Sequence, residues 1–136
     1  VGDHLYYASE GQGAWKSSNG EAPRRLFGGP HYLTKDAVTV VASRSHLTDE
    51  VRTFISDLEA QGKTVKFISA GSSLKLCLVA EGAADVYPRL GPTMEWDTGA
   101  AHAVALEAGH RVVEHSSGEP LLYNKENLLN PSFIVE

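Results

Sequence analysis

The chain has 136 residues, a length that indicates one domain with enough residues to bury a core without disulfides. Its formal net charge of −5 argues against bulk nucleic-acid binding, which requires a basic surface. The single cysteine excludes an internal disulfide, and no apolar run is long enough to span a bilayer. Together with the absence of a secretory signal, these features predict a protein of the reducing cytoplasm.

The first predicted element is a β-hairpin. Two aromatic-containing runs, residues 5–8 and 13–16, flank a glycine-containing turn at residues 9–12. Strand-like runs around glycines are typical of antiparallel hairpins. The glycine- and proline-containing residues that follow, up to about residue 33, are predicted to be loop.

From Val38 onward the pattern alternates between strands and helices. A β-branched run at residues 38–42 predicts a buried strand, and Thr48 is a favourable N-cap for the helix that follows. That helix presents an apolar face with helical spacing and stops at Gly62. The face is formed by Val51, Phe54, Ile55 and Leu58.

The second part of the alternation predicts two more helices. Ser72 or Ser73 is expected to cap a short buried helix, and Thr93 to cap a longer one. Pro88 lies inside the strand between them and favours an edge position or an early end to pairing. The remaining predicted strands are residues 64–68, 85–90, 111–114 and 132–135.

This alternation predicts an α/β fold, a layered mixed sheet with flanking helices. In such folds ligands gather at the carboxyl ends of the strands. Three polar segments follow predicted strands here: Ser43–His46, Ser69–Ser73 and Arg89–Asp97. We expect the three segments to converge on one site.

The residue types in these segments suit a phosphate group and a metal ion. Lys75 and Arg89 provide cations, and the hydroxyl of Ser72 is a further donor. Asp97 falls in the first turn of a helix, where a lone acid is also favoured by the helix dipole alone. His46 is of interest because its loop should reach the same rim.

Two other residues are assigned to the core. Cys77 lies in an apolar run, so we expect a buried structural thiol and not a nucleophile. Trp96, next to Asp97, is also expected to pack in the core.

The residues around Asp97 resemble a known family. Glu95-Trp96-Asp97-Thr98 with its small-residue tail resembles the second signature of the inositol monophosphatase superfamily, Trp-Asp-x-Ala-Ala-Gly. The segment from Ser69 to Asp97, with residues 123–126 and 129–133, is similar to one branch, the bacterial 3′(2′),5′-bisphosphate nucleotidases of sulfur assimilation. The resemblance covers essentially the whole chain.

The resemblance implies a function and a set of roles. The branch hydrolyses 3′-phosphoadenosine 5′-phosphate to AMP and phosphate with Mg²⁺, and is cytoplasmic or peripheral at the inner membrane. Asp97 would be a metal ligand close to the reacting centre and to the substrate. The other substrate-binding positions would be Ser72, Lys75 and Arg89 on the phosphate that is not cleaved, and Ser43 and His46 on the nucleoside side.

Two departures qualify the resemblance. Gly99-Ala100-Ala101 stands where the signature has Ala-Ala-Gly, and the first signature, Asp-Pro-x-x-Asp-Gly-Thr/Ser, is absent. The chain is therefore interpreted as the C-terminal half of the fold. Residues 1–33 would be a remnant of the first domain and 34–136 the C-terminal α/β domain.

Such a fragment is expected to be inactive alone and to self-associate through the hairpin face that truncation exposes. Two alternatives stay open. One is a phosphatase of the same superfamily that acts on inositol or fructose phosphates. The other is a non-catalytic module that binds nucleotide phosphates.

Overall fold

A computed structural model describes residues 2–43, 45 and 47–136 of the chain. Its first element is the predicted hairpin, extended by a third strand: β1 (His4–Ser9), β2 (Gly13–Ser18) and β3 (Arg24–Leu26) form an antiparallel sheet in that order. Gly11 and Gly13 make the turn with φ of 71° and 82°, a conformation that costs glycine little.

The predicted strand–helix–strand unit follows. Strands β4 (Ala37–Ala42) and β5 (Thr64–Ser69) pair in parallel over their whole length. Helix α1 (Asp49–Ala60) connects them, and the Thr48 hydroxyl accepts a hydrogen bond from the Val51 N–H at 3.4 Å, which confirms the predicted N-cap.

The sheet continues through antiparallel strands. Strands β6 (Tyr87–Arg89), β10 (Phe133–Val135) and β8 (Val112–Glu114) pair in that order. A single parallel bridge, Val40 to Val86, joins β6 to β4. The bridge precedes Pro88, which has no N–H to donate, so pairing with β4 ends early as predicted.

Two further helices lie beside the mixed sheet. Helix α2 (Leu74–Ala80) and helix α3 (Glu95–Glu107) end at Gly82 and Gly109, both with positive φ. Strand β7 (Thr93–Met94) directly precedes α3 and pairs antiparallel with β9 (Leu129–Asn130), which follows it in the chain. This pairing fixes the residues before the first turn of α3.

The two predicted caps have different outcomes. Ser73 occupies the N-cap position of α2 as predicted, but its side chain makes no capping hydrogen bond and its backbone is already helical. Thr93 is not the cap of α3, because the helix begins one residue later, after Met94. Thr93 instead pairs with Asn130 in the short sheet of β7 and β9.

Two apolar clusters define the layers. The larger one joins the hairpin sheet, α2, α3 and one face of the mixed sheet. The smaller one joins the opposite face of the mixed sheet to α1. Strand β10 shows the alternation directly, since Phe133 and Val135 belong to the first cluster and Ile134 to the second. The predicted α/β fold of layered mixed sheet and helices is confirmed.

The two core assignments have different outcomes. Cys77 is buried, and burial raises the pKa of its thiol to about 11, as a structural cysteine requires. Trp96 is 69% exposed, so its assignment to the core is wrong. The buried face of α3 includes Thr98, Ala101 and Ala105, and a residue two positions before Thr98 points about 200° away from it.

The division at residue 33 stays a prediction. It falls inside a 3₁₀ turn, Tyr32–Thr34, and the hairpin sheet shares its core with α2 and α3. None of the described helices has both the length and the apolar character needed to cross a bilayer.

Candidate functional site

The three predicted segments converge. A cavity of about 360 Å³ opens at the carboxyl ends of β4, β5 and β6. Its lining includes Ser43 and Ser45, Gly71 to Ser73, Lys75, Arg89, Thr93, Asp97 and Thr98. All of the predicted site residues except His46 line it, and His46 lies outside the described residues.

Lys75 is a buried cation in the wall of this cavity, only 3% exposed. Its ammonium donates hydrogen bonds to the carbonyl oxygens of Ala70 (3.2 Å) and Ser72 (2.9 Å), and it lies 5.3 Å from the centre of the Tyr87 ring. Burial lowers the pKa of Lys75, and the nearby positive charge of Arg89 lowers it further. A buried ammonium without a counter-charge favours an anionic ligand.

Ser72 presents its carbonyl to Lys75 through an unusual backbone conformation. Its φ is +49°, in the left-handed region that costs a non-glycine residue roughly 1–2 kcal/mol. Such strain persists where the surrounding structure fixes it, and functional sites are common locations. Here it turns the chain between β5 and α2 so that residues 71–73 face the cavity.

Arg89 is the second cation of the wall. Its Nη2 donates to the Pro92 carbonyl at 3.0 Å, while its buried Nε has no hydrogen-bond acceptor among the described residues. Burial raises the pKa of the neighbouring Tyr87 hydroxyl to about 12, against the opposing effect of the Arg89 charge. An unused buried N–H beside a cavity is a donor available to a ligand.

In the part of the chain that the structure describes, no carboxylate forms an ion pair with Lys75 or Arg89. Half-buried acids elsewhere form ion pairs of their own: Glu81 binds Lys16 and Arg24, Asp85 binds Lys35, and Glu95 binds Lys125. The two cations therefore form an uncompensated positive region, which we call the cationic wall.

Asp97 also lines the cavity, from the first turn of α3. Its Oδ2 accepts a hydrogen bond from the Met94 N–H at 2.9 Å and so caps the helix. The side chain is otherwise exposed. Across residues 2–43, 45 and 47–136, no three His, Cys, Asp or Glu side chains come together as a metal site. Asp97 alone does not satisfy Mg²⁺, which prefers six oxygen ligands.

The structure shows a hydrogen-bonded cluster at the first turn of α3 that the sequence did not predict. Asn130 is 4% exposed and contacts Thr98, and the Tyr123 hydroxyl donates to the Thr98 hydroxyl at 3.2 Å. Glu95 accepts from the backbone N–H groups of Asn124 (2.7 Å) and Lys125 (3.2 Å). The segments 123–126 and 129–133 carried the family resemblance, but nothing in their spacing indicates that they bind the start of α3.

The comparisons with known proteins agree with this geometry. The inositol monophosphatase family matches residues 1–134. The chain is 46% identical to 3′(2′),5′-bisphosphate nucleotidase CysQ of Shigella flexneri and 44% identical to that of Escherichia coli K12, each over 96% of this chain and 49% of the relative. It thus spans about half the length of the curated relatives that it matches.

The solved structures also match nearly all of this chain and about half of their own length. The crystal structure of CysQ from Bacteroides thetaiotaomicron, a bacterial member of the inositol monophosphatase family, superposes with a TM-score of 0.85 at 50% identity. The match covers 98% of this chain and 53% of that one. Staphylococcal IMPase-II shares the fold with a TM-score of 0.71 at 18% identity. On the match over nearly all of its residues, the chain belongs to the inositol monophosphatase family.

Proposed function

We propose that the chain is the C-terminal part of a phosphatase that acts on a 3′(2′),5′-bisphosphate nucleotide, with 3′-phosphoadenosine 5′-phosphate as substrate and AMP and phosphate as products. The observation that carries this proposal is the cationic wall. Lys75 and Arg89 are two cations that line one cavity without an acidic partner among the described residues. The names of the matched nucleotidases support the substrate class.

The positions of the groups support a division of labour between two phosphates. The cationic wall and the Ser72 hydroxyl hold the phosphate that is retained, by charge-assisted hydrogen bonds. Asp97, which lines the same cavity, is assigned to the phosphate that is cleaved. Ser43 also lines the cavity and is assigned to the nucleoside side together with His46.

The proposal includes Mg²⁺ as the cofactor of the intact enzyme. The described residues do not make a complete Mg²⁺ site, because Asp97 is not joined by two further acids or histidines. Hydrolysis therefore needs carboxylates from outside the described set. On this proposal the chain by itself binds nucleotide phosphates and does not turn them over.

The first test measures phosphate release from 3′-phosphoadenosine 5′-phosphate by the chain with Mg²⁺, with Asp97→Asn beside it. Calorimetry in the same buffer measures the affinity for adenosine 3′,5′-bisphosphate. Binding without release supports the proposal. Phosphate release that Asp97→Asn abolishes would show that this chain completes a metal site. Nucleotide binding that survives the double substitution Lys75→Met and Arg89→Met would show that the cationic wall does not bind the nucleotide.

A second candidate function is a binding module without catalysis. The observation that favours it is that, among the described residues, no further acids or histidines gather around Asp97. Phosphate release by the longer protein that the proposal implies separates a phosphatase from a binding module.

Inositol and fructose phosphates are the alternative substrates within the family. Competition of inositol 1-phosphate and fructose 1,6-bisphosphate against the nucleotide, measured by displacement, separates these substrates from the proposed one.

We also propose that the chain self-associates through its hairpin sheet. Within the described residues, β1 pairs only with β2, so its other edge offers unpaired backbone groups. Leu5 and Tyr7 lie on one face of this strand and are 60% and 40% exposed. Sedimentation equilibrium of the chain and of Leu5→Lys tests this proposal, since a charge on the edge strand should shift the chain towards monomer.

A further inference from the structure

We infer that Asn130 is a positioning residue for Asp97, an inference that rests on the proposed function of the cavity. Asn130 does not line the cavity, yet its side chain contacts two residues that do, Thr93 and Thr98. It reaches them from β9, more than 30 residues further along the chain.

The contacts of Asn130 converge on the start of α3. Its Nδ2 lies 3.1 Å from the Thr93 hydroxyl, 3.0 Å from the Met94 carbonyl oxygen and 3.1 Å from the Thr98 hydroxyl. The backbone of β9 adds a second connection, because Thr93 pairs with Asn130 and Met94 with Leu129. Asn130 therefore fixes the residues on both sides of Asp97.

The Met94 peptide connects this cluster to the carboxylate. Asn130 donates to the Met94 carbonyl oxygen, and Asp97 accepts from the Met94 N–H at 2.9 Å. A displacement of Met94 would thus displace the group that orients the Asp97 carboxylate. Because phosphate chemistry depends on the placement of such a group to within a fraction of an ångström, the bond to Met94 is part of the site.

The chemistry of the side chain selects asparagine at this position. Donation to the Met94 carbonyl requires an N–H, which aspartate lacks, and reversing the amide would place Oδ1 against that carbonyl oxygen. In the observed orientation the buried Oδ1 has no hydrogen-bond partner among the described residues. The two N–H groups of Nδ2 face three acceptors, so both donors are used, while the unsatisfied Oδ1 carries a cost.

Thr98 is the second component of the cluster. Its hydroxyl donates to the Glu95 carbonyl oxygen at 3.2 Å and accepts from Asn130 and from Tyr123. The Tyr123 hydroxyl also lies 2.7 Å from His102 Nδ1. The first turn of α3 is therefore held by side chains from β9 and from the segment before it.

The test measures amide hydrogen exchange of Met94 by NMR in the ligand-free chain. Asn130→Asp keeps the shape of the side chain and removes the donor, so the Met94 amide should exchange at least about tenfold faster. Thr98→Val should do the same, while Thr98→Ser, which keeps the hydroxyl, should restore protection. Asn127→Ala is the matched control, since Asn127 is an exposed asparagine of the same segment whose Oδ1 accepts from the Leu129 N–H and which makes no side-chain hydrogen bond to α3 among the described residues.

The outcomes separate positioning from general stability. Faster exchange at Met94, with unchanged amides in β8 and β10, supports the inference. Equal acceleration of every amide, or no change at Met94, overturns it. If Asn130→Asp does not fold, the Thr98 pair carries the same comparison. Affinity for adenosine 3′,5′-bisphosphate is then measured in the same variants and in Lys75→Met. The proposed function assigns this affinity to the cationic wall, so it should fall in Lys75→Met, where Met94 exchange stays unchanged, and persist in the Asn130 and Thr98 variants. Loss of affinity in none of the variants counts against the proposed function and leaves the positioning of Asp97 by Asn130 intact.

Discussion

The cationic wall and Asp97 line the same cavity but differ in how completely the described residues equip them. In the cationic wall, Lys75 is buried, held by two backbone carbonyls and accompanied by Arg89. Asp97 is an exposed carboxylate that accepts a hydrogen bond from the Met94 N–H and so caps its own helix. Within the described residues, the chain thus assembles donors that suit an anion and contributes one acid that suits a metal. On the proposed function, binding of the retained phosphate is separable from the reaction centre.

The largest expected effect is on the cationic wall. Lys75→Met removes a buried charge, so affinity for adenosine 3′,5′-bisphosphate should fall on the order of 30-fold or more. The unfolding free energy should stay equal or rise, because methionine fills a similar volume without a desolvation penalty. Calorimetry and urea denaturation measure both quantities. Lys66→Met, at an exposed position of β5, is the control, and an equal loss of affinity in that variant would contradict the assignment.

The next effect is the pH dependence of anion affinity and of the unfolding free energy that the titration of Lys75 causes. The pKa of Lys75 is lowered by burial, so the folded protein releases this proton at a lower pH than the unfolded chain, whose lysines titrate near 10.4. Between those two values the unfolded state binds more protons, and stability rises with pH. Sulfate serves as the anionic probe because it keeps its charge over this range. Its affinity for the cavity should fall as Lys75 loses its proton, while the unfolding free energy rises.

The difference between the wild-type chain and Lys75→Met isolates this titration from that of the tyrosines. Calorimetry with sulfate and urea denaturation, at a series of pH values below the ordinary lysine pKa near 10.4, give the two curves. Affinity and stability that change in the same direction with pH would show that Lys75 is not the titrating group.

A smaller effect is expected at Asp97. Asp97→Ala removes the acceptor for the Met94 N–H and should lower the unfolding free energy by about 1 kcal/mol. Asp97→Asn keeps one oxygen acceptor and should cost less. Glu126→Ala, an exposed acid with the same change in charge, is the control in urea denaturation. A loss of several kcal/mol at Asp97 would mean that the acid contributes more than a helix cap.

The smallest expected effect is at Gly99, where the chain departs from the family signature. A Cβ there would meet only Tyr123 Cε1, at 3.7 Å, so Gly99→Ala should raise the unfolding free energy by about 0.5–1 kcal/mol. Gly28→Ala is the contrasting variant, because its Cβ would meet the Ala108 carbonyl oxygen at 2.8 Å. If Gly99→Ala is destabilising, the start of α3 needs the glycine for a reason other than space.

Local pattern was sufficient for much of the fold. The hairpin, the strand–helix–strand unit and the glycine stops follow from alternation, helical spacing and the conformational freedom of glycine, all of which act over a few residues. The convergence of the three polar segments also followed from the sequence, because the carboxyl ends of parallel strands share one edge.

The errors lie where distant segments meet. Thr93 is a good cap by local rules, yet α3 begins one residue later, after Met94, and Thr93 pairs with Asn130. Trp96 was predicted to pack in the core because large aromatic residues usually do. Its position on α3 instead directs it away from the buried face of the helix. In both cases a contact or a rotation set by the whole fold outweighs the local preference.

The sequence by itself determined the family, the alternation of strands and helices, and the identity of the candidate residues, because these depend on residue type and near-neighbour spacing. Only the tertiary structure decided that Lys75 is buried with no counter-charge among the described residues, and that Asn130 holds the start of α3. Burial and long-range hydrogen bonds join residues that no local pattern relates, since desolvation depends on what the rest of the chain packs against each group.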